Sequence, residues 1–296
     1  MSKQIKIKQL ILVPSLMVML GCSFSCRKTG AIESNASLIS EASLISSQTI
    51  QQSSLINSTT QKESDFEDGT ISPFSICTTQ NPAYGQAFTL NGQKCMKFYW
   101  TQTGYDGTRM DRGAEACSDL NIYKDGWYGF HFYLSSTAFP TNKSQTIAQV
   151  FSNGGCASWT AMLEVKNNAL WLVYRGNCAT TGNTEVQITG SIQRNAWKDF
   201  IIHFRASNNG TGLVQVWYAG AGKNTPTYQA TNINFGFGTW VNDTLDANSP
   251  IGLKFGMYNW DDGNYTANES RTIYFDNVSQ LAGNPSDAWE TVNPNL

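Results

Sequence analysis

Leu253-Lys254-Phe255-Gly256-Met257-Tyr258-Asn259-Trp260 is rich in aromatic and apolar residues and carries a single glycine. A strand sends successive side chains to opposite faces. One face of this stretch then carries Leu253, Phe255, Met257 and Asn259, a mostly apolar set suited to a core. The other carries Lys254, Gly256, Tyr258 and Trp260: a cation, a gap where another group can approach, a phenol and an indole. An ordinary amphipathic strand needs only the first face; a binding or catalytic surface would use the second.

The same period of two recurs through the chain. In Trp127–Leu134, Tyr128, Phe130, Phe132 and Leu134 form one apolar face, and His131 lies on the other with Trp127 and Tyr133. In Thr146–Phe151, Ala148 and Val150 suit a core, while Gln149 faces the opposite way with Ile147 and Phe151. Ala161–Val165 and Ala169–Arg175 read as a hairpin around Lys166-Asn167-Asn168. Trp197–Arg205 sets Phe200, Ile202 and Phe204 against Ile201, His203 and Arg205. Ser207–Gly212 reads as a turn before the strand Leu213–Tyr218, and Gly220-Ala221-Gly222 as another turn after it. Ser64–Gly69 and Arg271–Val278 are expected to pair as first and last strands. This spacing, with no long helical pattern, predicts an all-β fold: a two-sheet antiparallel β-sandwich of the jelly-roll, concanavalin A-like kind. The composition agrees, with 9 Trp, 12 Tyr, 15 Phe and 25 Gly but only 14% charged residues.

Ahead of this domain, residues 1–21 read as an export signal. Lys3, Lys6 and Lys8 precede the apolar run Leu10–Leu20, which is short for a membrane span. It ends at Gly21-Cys22, the pattern of a bacterial lipoprotein signal in which Cys22 is lipidated; an ordinary secretory signal cut near Cys26 is the alternative. Both place the mature protein outside the cytoplasm, at a cell surface, in a periplasm or secreted. Residues 22–63 are rich in Ser and Gln, nearly repeat Ala36–Ser40 at Ala42–Ser46, and read as a flexible tether. Residues 64–296 are then the β-domain.

The formal charge is −2, and losing three signal lysines leaves −5. With no basic stripe, nucleic acid is excluded as a partner, and a membrane is reached only through the N-terminal lipid. A monomer is expected. The seven cysteines match no zinc spacing and read as disulfides in an oxidising compartment. The expected pairs are Cys156–Cys178 and Cys77–Cys95, with Cys26 left over. Asp65, Glu67, Asp68 and Asp276 are candidates for a structural calcium ion, against the plainer reading as turn and capping groups.

Taken in chain order, several motifs resemble the jelly-roll polysaccharide lyases: the heparin-lyase-I-like and glucuronan-lyase-like group and, more distantly, the alginate lyases. These motifs are Arg112-x-x-Glu115, Trp127-Tyr128-Gly129-Phe130, Gln149 on its short strand, Trp197-Lys198-Asp199-Phe200, Lys254-x-Gly256-x-Tyr258 and Tyr274-Phe275-Asp276-Asn277-Val278. The resemblance covers residues 64–282, and the Lys-x-Gly-x-Tyr strand is its most specific piece. It implies a concave sheet that forms a cleft for an acidic polysaccharide, β-elimination at a uronic acid, unsaturated uronate ends and no required cofactor. Such chemistry neutralises the C5 carboxylate, removes the C5 proton and protonates the departing O4. The resemblance makes Tyr258 base and acid, gives Lys254 a role beside Tyr258 or on substrate, lets Gln149 neutralise the carboxylate, and has Arg112 bind it with Glu115 orienting Arg112. Arg109, His131, His203 and Trp260 are further substrate-binding candidates, the histidines only if their strands lie in the concave sheet.

One position departs from the pattern. Many relatives carry a histidine two residues after the glutamine; here it is Phe151. That leaves Tyr258 acting alone, an altered substrate or lost activity. A carbohydrate-binding module or lectin-like surface lipoprotein is the competing reading, since Trp159, Trp171, Trp240 and Trp260 suit sugar stacking either way. A retaining glycoside hydrolase lacks its paired carboxylates here, Glu164 and Glu185 being isolated.

Overall fold

The alternating stretches become strands whose apolar faces meet. A computed structural model of the chain describes residues 60–78, 84–101, 113–140, 142–179, 182–259 and 266–296. There β6 (Asp125–Leu134) buries Tyr128, Phe130, Phe132 and Leu134, β11 (Trp197–Arg205) buries Phe200, Ile202 and Phe204, and β16 (Ile251–Tyr258) buries Leu253, Phe255 and Met257. One eight-stranded sheet runs β13 (Tyr228–Phe235), β12 (Ser207–Tyr218), β11, β6, β17 (Ser270–Ala282), β4 (Gln93–Thr101) and β3 (Tyr84–Leu90), with β1 (Gln61–Ser64) also pairing on β17. A seven-stranded sheet runs β10 (Thr184–Thr189), β9 (Ala169–Tyr174), β8 (Ser158–Lys166), β7 (Gln145–Ser152), β16, β5 (Gly113–Cys117) and β2 (Ser75–Thr78). A short ladder joins β14 (Trp240–Val241) to β15 (Thr244–Leu245). The pairings are antiparallel, and the two large sheets enclose the core between them, as the alternation predicts.

Aromatic rings join the sheets. Phe255 of the seven-stranded sheet lies 5.6 Å from Phe98 and 5.3 Å from Phe275, both of the other sheet. Phe130 lies 5.4 Å from Phe275. Most of these contacts are steeply tilted, the arrangement ring quadrupoles prefer.

First and last strands pair as expected, with Ser64 opposite Val278. β1 starts at Gln61, however, inside the stretch whose composition reads as tether. The hairpin between β8 and β9 turns through Asn167 and Asn168, both at positive φ, as a two-residue turn of this hand requires. A five-residue helix, α1 (Ala288–Val292), packs Ala288 and Val292 on the outer face of the eight-stranded sheet with Trp127, Ile201, Trp217 and Leu281. A Cβ on Gly129 would lie 1.7 Å from the Val292 carbonyl oxygen, so only glycine admits this C-terminal segment.

Two expectations are corrected. Cys77 pairs with Cys117, not Cys95; the strand register brings β2 beside β5 and leaves Cys95 as a buried thiol pushed up to about 12, chiefly by burial. Cys156–Cys178 forms as expected. Ser207–Gly212 is not a free turn but the start of β12, with a register shift where the polar residues loop out. Asp243 gathers that loop, accepting from Ser207 Oγ at 3.0 Å, the Asn208 amide at 3.0 Å and Thr211 Oγ1 at 2.9 Å, with Lys124 Nζ at 2.6 Å.

Burial raises the Asp243 carboxyl, but Lys124 and these donors outweigh it and hold it down to about 2. Its folded value thus lies below the unfolded one near 4. The stabilisation is fully present above about pH 4 and is lost as pH falls toward 2. Asp243→Asn should remove on the order of 1 kcal/mol at neutral pH and flatten that part of the acid-unfolding curve, which urea titrations at several pH values would measure.

Candidate active site

β16 lies in the middle of the seven-stranded sheet, between β7 and β5. Its outward residues fall into register with outward residues of both neighbours. Lys254 stands opposite Gln149 on one side and Cys117 on the other. Gly256 stands opposite Glu115, and Tyr258 opposite Thr146 and Gly113. Gln149, Lys254, Glu115 and Tyr258 therefore share one sheet face, which the sequence alternation alone assigns to separate strands without saying that they meet.

Across this face Gln149 Nε2 donates to Glu115 Oε1 at 2.6 Å, with both residues almost fully buried. The bond links β7 to β5 across β16, which lies between them. Gly256 has φ +131°, and a Cβ there would sit 2.3 Å from the Ala114 carbonyl oxygen. That Cβ would also meet the core ring of Phe98 at 2.9 Å, so the backbone angle and the close approach of β5 and the core both require glycine. Glu115, expected beside Arg112, is placed by the structure on Gln149; Arg112 lies outside the described residues.

Lys254 Nζ sits 3.8 Å from the centroid of Phe151. Phe151 is in register with Gly252 on one side and Trp159 on the other. The ammonium is therefore drawn toward Gly252 and away from Tyr258, which lies about 13 Å further along the strand. Trp159 in turn carries the Arg175 guanidinium 3.9 Å over its ring. At the other end of the face stands half-buried Tyr258. Beyond Thr146 the row continues to Glu164, whose buried Oε1 accepts from Thr146 Oγ1 at 3.4 Å.

Directly after Tyr258, Asn259 is buried, and its Oδ1 accepts from Arg271 Nη1 at 2.8 Å. Arg271, fully buried on β17, also donates to Gln145 Oε1 at 2.8 Å and the Ser144 carbonyl at 3.1 Å, and Glu269 balances its charge at 2.5 Å. One guanidinium thus ties the ends of β16 and β7 to the opposite sheet. Sequence reading misses this role. The available signal is Arg271 standing in phase with Ile273 and Phe275, a cation on the core-facing side of its strand.

The histidines are corrected. His131 is on β6 and His203 on β11, both in the eight-stranded sheet and on its outer side, away from the face that carries Tyr258. His131 Nε2 lies 3.1 Å from Asn295 Oδ1. His203 is buried, stacked 3.9 Å from Trp127, with Nδ1 2.9 Å from Gln215 Oε1. Arg109, Arg112, Trp260 and Cys22 lie outside the described residues. Of the acids considered for calcium, Asp65 accepts from the Glu67 amide at 3.1 Å and Asp68 from the Thr70 amide at 2.8 Å. Buried Asp276 accepts from Gln93 and from the Asn277 amide. No group of three His, Cys, Asp or Glu among the described residues is placed to hold a metal. A cavity of about 470 Å³ lies between β1 and the C-terminal segment, lined by Glu63, Asp65, Asp68 and Asn293; it is on the eight-stranded side and shares no residue with the Tyr258 face.

Gly256→Ala should destabilise the fold by about 3 kcal/mol, since it adds backbone strain and a clash with the neighbouring strand. Urea denaturation would measure it, and a loss under about 1 kcal/mol would contradict this account of the strand.

The model of the polysaccharide lyase family matches residues 57–279. Among solved structures, endo-β-1,4-glucuronan lyase from the fungus Trichoderma reesei superposes with a TM-score of 0.54 at 20% identity, covering 79% of this chain and 98% of that one. The marine alginate lyase from Aplysia kurodai superposes with a TM-score of 0.52 at 12% identity, covering 76% and 99%. At these identities the likeness is one of fold. No curated protein sequence matches the chain. The family match runs from before β1 to within β17, across both sheets and the face built around β16, and the chain belongs to the polysaccharide lyase family.

Proposed function

We propose that the chain cleaves an acidic, uronate-containing polysaccharide by β-elimination, with Tyr258 as both base and acid. The observation that carries the reading is one outward face that bears Tyr258, Gln149 and Lys254 on adjoining strands. Ionised Tyr258 takes the C5 proton, the electron pair forms the C4=C5 double bond, and the C4–O4 bond breaks. The phenol then returns its proton to O4, so atoms and charge balance. Gln149 carries the neutralising role: Glu115 holds one amide hydrogen, which fixes the amide and directs the other toward a substrate carboxylate. Lys254, drawn over Phe151, is assigned to a carboxylate of a neighbouring sugar rather than to the phenol. With Phe151 where many relatives have histidine, no second base is required on that strand.

The N-terminal pattern supports an exported lipoprotein with Cys22 as the anchor. No helix among the described residues is long and apolar enough to cross a membrane.

The test is ultraviolet absorbance of the unsaturated product over a panel of uronate polymers. Tyr258→Phe should lower kcat about a thousandfold, and Gln149→Ala about a hundredfold. If the wild type binds these polymers but forms no unsaturated product, the binding-module reading, which Phe151 favours, replaces this one. If Tyr258→Phe stays fully active, the role given to Tyr258 is wrong.

A further inference from the structure

We propose that Trp171 and Lys166 form a distal uronate subsite on the same sheet face as Tyr258; this rests on reading that face as a uronate cleft. Register places Tyr258, Thr146, Glu164, Trp171 and Gln187 in one row across five strands. A polysaccharide laid across the strands past Tyr258 would pass over Trp171. Three strand spacings separate the two, about 14 Å, or about three pyranose units.

The chemistry at Trp171 suits a uronate. Leu170 and Leu172 point into the core, so Trp171 points outward. Its Nε1 is buried without a hydrogen-bond partner, so the indole offers ring carbon rather than its N–H. A pyranose presents a flat C–H face to such a surface. Lys166, two residues beyond Glu164 on β8, holds its Nζ 5.7 Å from the ring centroid. Glu185, 3.6 Å away, steadies the ammonium, and the lysine side chain remains 41% exposed. Indole for the sugar face and ammonium for the carboxylate together recognise a uronic acid and not a neutral sugar. Between Tyr258 and this pair stands buried Glu164, whose Oε1 accepts from Thr146 Oγ1.

The probes are size-defined oligomannuronates and β-1,4-oligoglucuronates, titrated calorimetrically into Tyr258→Phe protein so that cleavage does not intervene. Affinity should rise once the oligomer is long enough to reach Trp171. Trp171→Ala should weaken the long oligomers about tenfold and leave the shortest unchanged. Trp171→Phe should restore most of the loss. Lys166→Gln should weaken long oligomers about threefold at low salt, less at high salt, and not at all when their carboxyls are reduced. Equal affinity of parent and both variants for long oligomers overturns the proposal, as does failure of every probe to bind the parent; melting curves show that the variants are folded. Product formation by the Tyr258 enzyme is scored separately, so a failed elimination chemistry and a failed subsite give different results.

Discussion

Phe255 decides where the face that carries Tyr258 points. Its ring is wedged against Phe98 and Phe275 of the opposite sheet, and a strand that commits one residue inward commits its neighbours outward. Lys254 and Tyr258 face solvent because Phe255, Leu253 and Met257 cannot. A slip of one residue would bury a lysine and a tyrosine and expose the aromatic joint, so the register is specified by burial. Gly256, between Lys254 and Tyr258, keeps a backbone angle that other residues resist and lets β5 and the Phe98 ring close on the strand.

Much of this is legible in the sequence. Trp127–Leu134 and Trp197–Arg205 alternate without interruption, and the hairpin at Asn167-Asn168 carries its own turn chemistry. The facing of Leu253–Tyr258 is readable for the same reason. Strand pairing is not, because alternation says which way a side chain points and nothing about its neighbour across the ladder. That is why spacing alone suggests Cys95 rather than Cys117 for Cys77, and why His131 and His203 stay open until their sheet is known. Ser207–Gly212 misleads because its polar residues satisfy one another and Asp243 while the chain stays within a strand. Arg271 is legible in phase but not in purpose, since its partners come from three separate segments.

Lys254 and Tyr258 lie four residues apart on one strand face, a spacing that suggests partners. The contacts separate them. Phe151 attracts the ammonium to its ring, a pull that a histidine able to become cationic would not exert. Phenylalanine at that position therefore sets where the charge of Lys254 lies along the strand.

Cys117 stands in register with Lys254, and its bond to Cys77 fastens β2, a four-residue edge strand, to the sheet that carries Tyr258. Such a short edge has few ladder bonds of its own. Where thiols are kept reduced, that edge would be fastened by those bonds and by the packing of Phe74 and Ile76 on the core. Completion of this edge of the sheet is then a chemical event in the life of the chain as well as a folding one, since it depends on an oxidant as well as on the sequence.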